Sequence, residues 1–164
     1  MTRDEKRQAD DANSNESSRR SRSRWLRYGP LLIWAALIFI GSGGILSGSQ
    51  TGSFVLRPLR YLFPHASPET LGLLHLLIRK AGHLTEYAIL AWLAARAFRR
   101  STHDFLRQRW FWWALAFVVA YALSDEFHQS FVPSRGASIW DSLIDSVGGL
   151  LALLWVAWRA RKKD

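Results

Sequence analysis

Four segments of this chain are apolar over close to the length a bilayer demands, and no other feature restricts its architecture as strongly. A helix needs roughly 20 apolar residues to cross a hydrocarbon core of ~30 Å, and a chain in lipid must satisfy its backbone hydrogen bonds internally. The segments lie at about residues 26–46, 80–99, 110–131 and 138–158. Together they predict an all-α polytopic membrane protein, a four-helix transmembrane bundle carried by residues 25–160.

Local punctuation sets the segment ends. The first is centred on Leu31 to Ile40, and the Gly/Ser-rich stretch 41–53 closes it, followed by a loop with Pro58, Pro64 and Pro68. The second allows two readings, one long helix from about Glu69 or a short interfacial helix at 70–80 leading into a span near His83. Continuity through Lys80 is favoured, because only Gly82 weakens the helix. The third starts at Trp110 and Pro133 stops it; the fourth passes through Gly148 and Gly149, which read as helix-packing glycines. Residues 1–24 are polar and aperiodic, too poor in apolar side chains to bury a core, and read as a disordered cytoplasmic tail. With no cysteine in the chain, disulfides, Cys-ligated zinc and thiol catalysis are excluded.

The formal charge of +9 suggests nucleic acid until its distribution is followed. Lysines and arginines crowd the N-terminal 27 residues, the connection Arg96 to Arg109 and the C-terminus from Arg159. With four spans these three regions share one side. Only Arg57, Arg60, Arg79, Lys80 and Arg135 fall on the other, so both termini are expected in the cytoplasm. Trp25, Trp110, Trp112, Trp113, Trp155 and Trp158 fall at the cytoplasmic interface and Trp140 at the outer one, while Trp34 and Trp92 read as packing residues. The basic excess is thus an orientation signal, and no nucleic-acid motif accompanies it.

Once topology is fixed, the ionisable residues of three helices fall at one outer end. Lys80, His83 and Tyr87 are spaced i, i+3, i+7; Asp125, His128 and Gln129 i, i+3, i+4; Ser138, Asp141 and Asp145 i, i+3, i+7. Such spacings share a helix face. Charges inside a bilayer are costly unless they face partners, so Lys80 and Arg135 are expected to meet Asp125, Glu126, Asp141, Asp145 and Glu86. Acids outnumber fixed cations, leaving room for a protonated carboxyl, a charged histidine, a cation or a cationic ligand group. Blander readings stay open: Glu86 and Glu126 also fit interfacial residues, Asp141 a first-turn acid favoured by the helix dipole, and His83 and His128 hydrogen-bonding core residues.

The runs Arg79-Lys80-Ala81-Gly82-His83-Leu84-Thr85-Glu86-Tyr87 and Ser124-Asp125-Glu126-Phe127-His128-Gln129, then Arg135 and Asp141 through Gly149, resemble the VanZ-like family of bacterial membrane proteins over roughly residues 30–158. Lys80, His83 and Tyr87 match its second-helix motif; Asp125, Glu126, His128, Gln129 and Arg135 its third; Asp141 and Gly148 or Gly149 its fourth. Gly82 departs from the larger apolar residue common there, and Ser134 from glycine. The resemblance implies the bacterial cytoplasmic membrane and an envelope connection, the founding member being associated with low-level teicoplanin resistance.

Two functions compete. In one, the outward site binds a lipid-linked or wall-derived group through Lys80, Tyr87, Gln129, Arg135, Asp141 and Asp145, with Arg135 suited to an anion by its planar fork. In the other, a membrane hydrolase or transferase acts on a lipid-linked or peptidoglycan precursor, with His83 or His128 as general base oriented by Asp125 or Glu126. A divalent cation held by Asp125, Asp141, Asp145 and a histidine is compatible with the residue types, though no specific motif supports it. Membrane lipids are the expected partners, with no nucleic acid. A transporter is disfavoured because the polar residues occupy only the outer half.

Overall fold

The structure, a computed structural model, describes residues 3–42, 48–131 and 139–162, with side chains described over 21–42, 55–131 and 140–162. Among these residues helix is the only regular secondary structure: α1 (Arg3–Ser42), α2 (Gly48–Leu62), α3 (Pro68–Arg99), α4 (Asp104–Gln108), α5 (Trp110–Gln129) and α6 (Ile139–Arg161). Two stretches, Ser21–Ser42 and Trp140–Arg161, are long and apolar enough to cross a membrane by length and composition.

The backbone of residues 3–24 is helical. The polarity of this stretch denies it a core, but it contains no Gly or Pro, and nothing interrupts helix propagation before Gly29. The expected loop before α3 is mostly the helix α2. Val55, Leu59 and Leu62 recur at i, i+4, i+7, and Leu59 is buried, so the apolar face outweighs the interruption at Pro58. Trp92 is 47% exposed and faces outward instead of packing.

The continuous reading of the second segment holds, since α3 runs unbroken for 32 residues. It starts where the sequence supplies both a cap and a first-turn proline. Ser67 Oγ accepts a hydrogen bond from the Thr70 backbone N–H at 3.2 Å, and Pro68 occupies the first turn, where its missing N–H is harmless.

Helix α3 is central and touches α1, α5 and α6. It runs parallel to α6, as Lys80 meets Asp141 and Leu84 meets Gly148. Helix α5 runs opposite to both, with Ala122 beside Ser142 and Val118 beside Gly149. Helix α1 lies antiparallel to α3: Tyr28 Oη donates to Ser101 Oγ at 3.0 Å, and Trp34 Nε1 donates to the Glu86 carbonyl at 3.0 Å. Tyr121 Oη donates to the Ala35 carbonyl and ties α1 to α5.

Small residues fill much of the interior, and many of the large apolar ones lie outside. Ala91, Ala94, Ala95, Ala114 and Ala122 are fully buried, whereas Leu32, Ile33, Leu37, Trp112, Leu123, Leu143, Leu151 and Leu154 are exposed. A water-soluble bundle buries its large apolar side chains; helices in lipid instead approach through small ones. The closest approach is at Gly148, where a Cβ would lie 2.7 Å from the Leu84 carbonyl oxygen. One residue on, a Cβ at Gly149 would lie 2.6 Å from Val118 Cγ1. This meeting of three helices fixes the register of the polar residues on either side.

Gly82 is different. A Cβ there would meet nothing within 4 Å, although a glycine inside a helix costs about 0.5–1 kcal/mol relative to alanine.

Candidate functional site

The inward stripes of α3, α5 and α6 are apolar over most of their length and turn polar at the same end. On α6 the buried face reads Ser142, Asp145, Gly148, Gly149, Leu153 and Val156; on α5 it reads Ala114, Val118, Ala122, Asp125 and Gln129. Because α5 is antiparallel to α6, its C-terminal polar residues meet α6's N-terminal ones. Helix α3 brings Lys80, His83 and Tyr87 to the same end.

At the lip, Lys80 Nζ donates to Asp141 Oδ1 at 2.8 Å, with the side chains 38% and 29% exposed. Asp141 is thus an ion-pair partner as well as a first-turn acid. One turn inward, His83 Nδ1 stands 3.6 Å from Asp145 Oδ1, within ion-pair range for a charged imidazole but longer than a hydrogen bond. Asp145 is 1% exposed and neither of its carboxylate oxygens has a hydrogen-bond partner among the described residues. Tyr87 is fully buried with its hydroxyl likewise unpartnered. Asp125 Oδ2 accepts from Gln129 Nε2 at 2.8 Å, one helical turn away, while Asp125 Oδ1 has no hydrogen-bond partner among the described residues. Ser142 Oγ reaches the Ala122 carbonyl at 3.4 Å.

Leaving a buried polar group unsatisfied costs about 1–3 kcal/mol, more for a charge. Here such groups on His83, Tyr87, Asp125 and Asp145 collect at one place on three helices. Folded proteins hold few of them, and their concentration in one place is characteristic of a working site.

The remaining sequence candidates fall as follows. His128 turns to α1: its ring stacks on Phe39 with centroids 4.2 Å apart, and its Nδ1 lies 3.5 Å from Ser42 Oγ. It is therefore set toward α1, whereas Asp125 and Gln129 join the buried cluster. Glu126 is buried, and Glu86 is exposed beside Trp34. Arg135 and Ser138 lie outside the described residues. No group of three His, Asp or Glu side chains among the described residues is placed to hold a metal ion.

Beside the cluster, a cavity of about 400 Å³ opens between α1, α2 and α3. Its wall runs through Trp34, Leu37, Ile38, Gly41 and Ser42 of α1, Val55 of α2, and His75, Ile78, Arg79, Gly82, His83 and Glu86 of α3, and it reaches Asp125 of α5. Sequence reasoning missed the contribution of α1, since it followed ionisable residues and α1 offers none there. The signal was the i, i+4, i+8 spacing of Trp34, Ile38 and Ser42. Ser142 was also missed, although it precedes Asp145 by one turn and shares its face.

At the opposite end of the bundle, basic side chains cover indole rings. Arg99 lies 5.3 Å from the Trp110 ring, Arg159 4.6 Å from Trp155 and Lys162 4.0 Å from Trp158. The polar cluster and the basic collar thus mark two distinct ends.

Comparison with curated proteins and with solved structures finds no match. A family model described as VanZ/LLP1 matches residues 28–159, which takes in α1 from Tyr28, every helix of the bundle and the whole described cluster. The chain belongs to the VanZ/LLP1 family.

Proposed function

We propose that this protein is a four-span bundle of the bacterial cytoplasmic membrane, with both termini cytoplasmic, whose outward polar cluster binds the polar part of a lipid-linked or wall-derived group in the cell-envelope or glycopeptide response. The observation that carries this reading is the convergence of Lys80, His83, Tyr87, Asp125, Gln129, Asp141 and Asp145 from three helices at one end, next to a cavity with apolar walls. The collar of Arg99, Arg159 and Lys162 on tryptophans supports the orientation, since basic and aromatic residues gather at the cytoplasmic headgroups.

Topology is directly testable because the chain is free of cysteine. A single cysteine at His65 reacts with an impermeant maleimide added to intact cells or spheroplasts. One at His103 reacts only after the membrane is opened. Reversed labelling overturns the orientation.

The function is tested by growing a deletion strain against wall-active antibiotics, complemented with alanine variants at Lys80, His83, Asp125, Arg135 and Asp141. Loss of complementation at normal protein levels is the expected result. Arg135→Lys is expected to fail almost as fully as Arg135→Ala, because an ammonium cannot supply the two parallel donors of a guanidinium. Full activity with lysine removes the anion-fork argument.

A membrane hydrolase or transferase is the second reading, favoured by the closeness of His83 to buried Asp145, which can hold an imidazole in the orientation a general base needs. Turnover of a labelled lipid-linked precursor by purified protein, lost in His83→Ala, separates it from binding alone.

A further inference from the structure

The packed glycines Gly148 and Gly149 are explained by the helices that touch them, but Gly82 is not, since open space surrounds it. What Gly82 does is line the cavity, on the α3 face that looks across to α1. A larger side chain at this position would project into that space. The cavity is apolar over most of its wall, through Trp34, Ile38 and Ile78, and its volume of about 400 Å³ lies in the range of ligand sites. Its polar end includes Asp125, a residue 2% exposed and near the Tyr87 hydroxyl, whose Oδ1 makes no hydrogen bond among the described residues. A buried acceptor of this kind gains most from a ligand that brings a hydrogen-bond donor. Arg79, also in the wall but exposed, suits the phosphate of the same molecule.

Resting on the proposed headgroup role of the polar cluster, we infer that the cavity between α1, α2 and α3 seats a phospholipid: part of one chain lies against Trp34, Ile38 and Ile78, and a head-group N–H or O–H donates to Asp125. Gly82 is the residue that keeps the seat open.

The test uses the full chain in phosphatidylcholine vesicles doped with a phospholipid carrying a chain diazirine, its head being ethanolamine, glycerol or choline. Photolabelled residues are mapped by mass spectrometry. All three probes share chain and phosphate, but choline has no N–H or O–H. The ethanolamine and glycerol probes are expected to label the cavity about tenfold more than choline, the effect of one charge-assisted hydrogen bond. Their ratio shows whether ammonium or hydroxyl is the preferred donor. Gly82→Leu, which improves helix propensity and so preserves the fold, is expected to abolish cavity labelling; Asp125→Asn is expected to collapse the difference between heads. Equal labelling by the choline probe, or labelling unchanged in Gly82→Leu, overturns the inference. Labelling reads occupancy of purified protein, so it can fail while the antibiotic phenotype stands, and the reverse.

Discussion

Gly148→Ala is expected to destabilise the protein by about 3 kcal/mol, at the upper end of what overpacking costs. The added Cβ would sit 2.7 Å from the Leu84 carbonyl oxygen, 2.9 Å from Leu84 Cδ2 and 3.1 Å from Leu84 Cα. Two of those atoms are backbone or held by it, so trimming Leu84 cannot make room and α6 must move away from α3. Moving α6 also draws Asp141 from Lys80 and Asp145 from His83, which couples the stability loss to the site. Gly149→Ala is the informative contrast. Its Cβ meets Val118 Cγ1 at 2.6 Å, a side-chain atom. The double variant Gly149→Ala with Val118→Ala is expected to recover most of the stability, whereas Gly148→Ala with Leu84→Ala is not. Unfolding of purified protein in mixed micelles measures all four, and rescue of Gly148→Ala by Leu84→Ala would show that backbone approach is not what the glycine serves.

Reversing one charge at the lip has the second large effect. Lys80→Glu places a carboxylate opposite Asp141, replacing the 2.8 Å ion pair with repulsion. Exposed pairs are worth up to about 1 kcal/mol, while breaking a fully buried pair costs about 3–5 kcal/mol. With side chains 38% and 29% exposed, this pair falls between, and the loss is expected near 2 kcal/mol after screening. Adding Asp141→Lys restores the pair in the opposite sense. The double variant is expected to regain stability but not complementation in the antibiotic panel, because a ligand would meet the two charges exchanged. Recovery of both would reduce Lys80 and Asp141 to a structural pair.

Much of the polar end was readable from spacing alone. The i, i+3, i+7 series Lys80, His83, Tyr87 and the step from Asp141 to Asp145 do share faces, and those faces meet. Same-face spacing is a property of the helix itself, so it survives whatever the helices pack against. His128 shows its limit. It lies three residues after Asp125, yet a helical face is broad enough that Asp125 points into the bundle and His128 packs on Phe39. Which neighbour each edge of a face meets depends on tertiary placement.

The errors have separate causes. Helix α2 was hidden by the Gly, Ser and Pro around its apolar positions, where punctuation was given more weight than the recurrence of Val55, Leu59 and Leu62. The cavity could not be read in the sequence, because a void belongs to the gap between elements.

The parallel pairing of α3 with α6 bears on biogenesis. Lys80 leaves the ribosome 61 residues before Asp141, the acid that holds it. In the proposed four-span topology α3 would carry an uncompensated ammonium into the bilayer during that interval, and α3 is not among the helices long and apolar enough to cross by length and composition. Under that topology its final depth would be settled only when α6 arrives, so that a later helix completes the insertion of an earlier one, and release from the insertion machinery before α6 has docked would strand the middle of the protein.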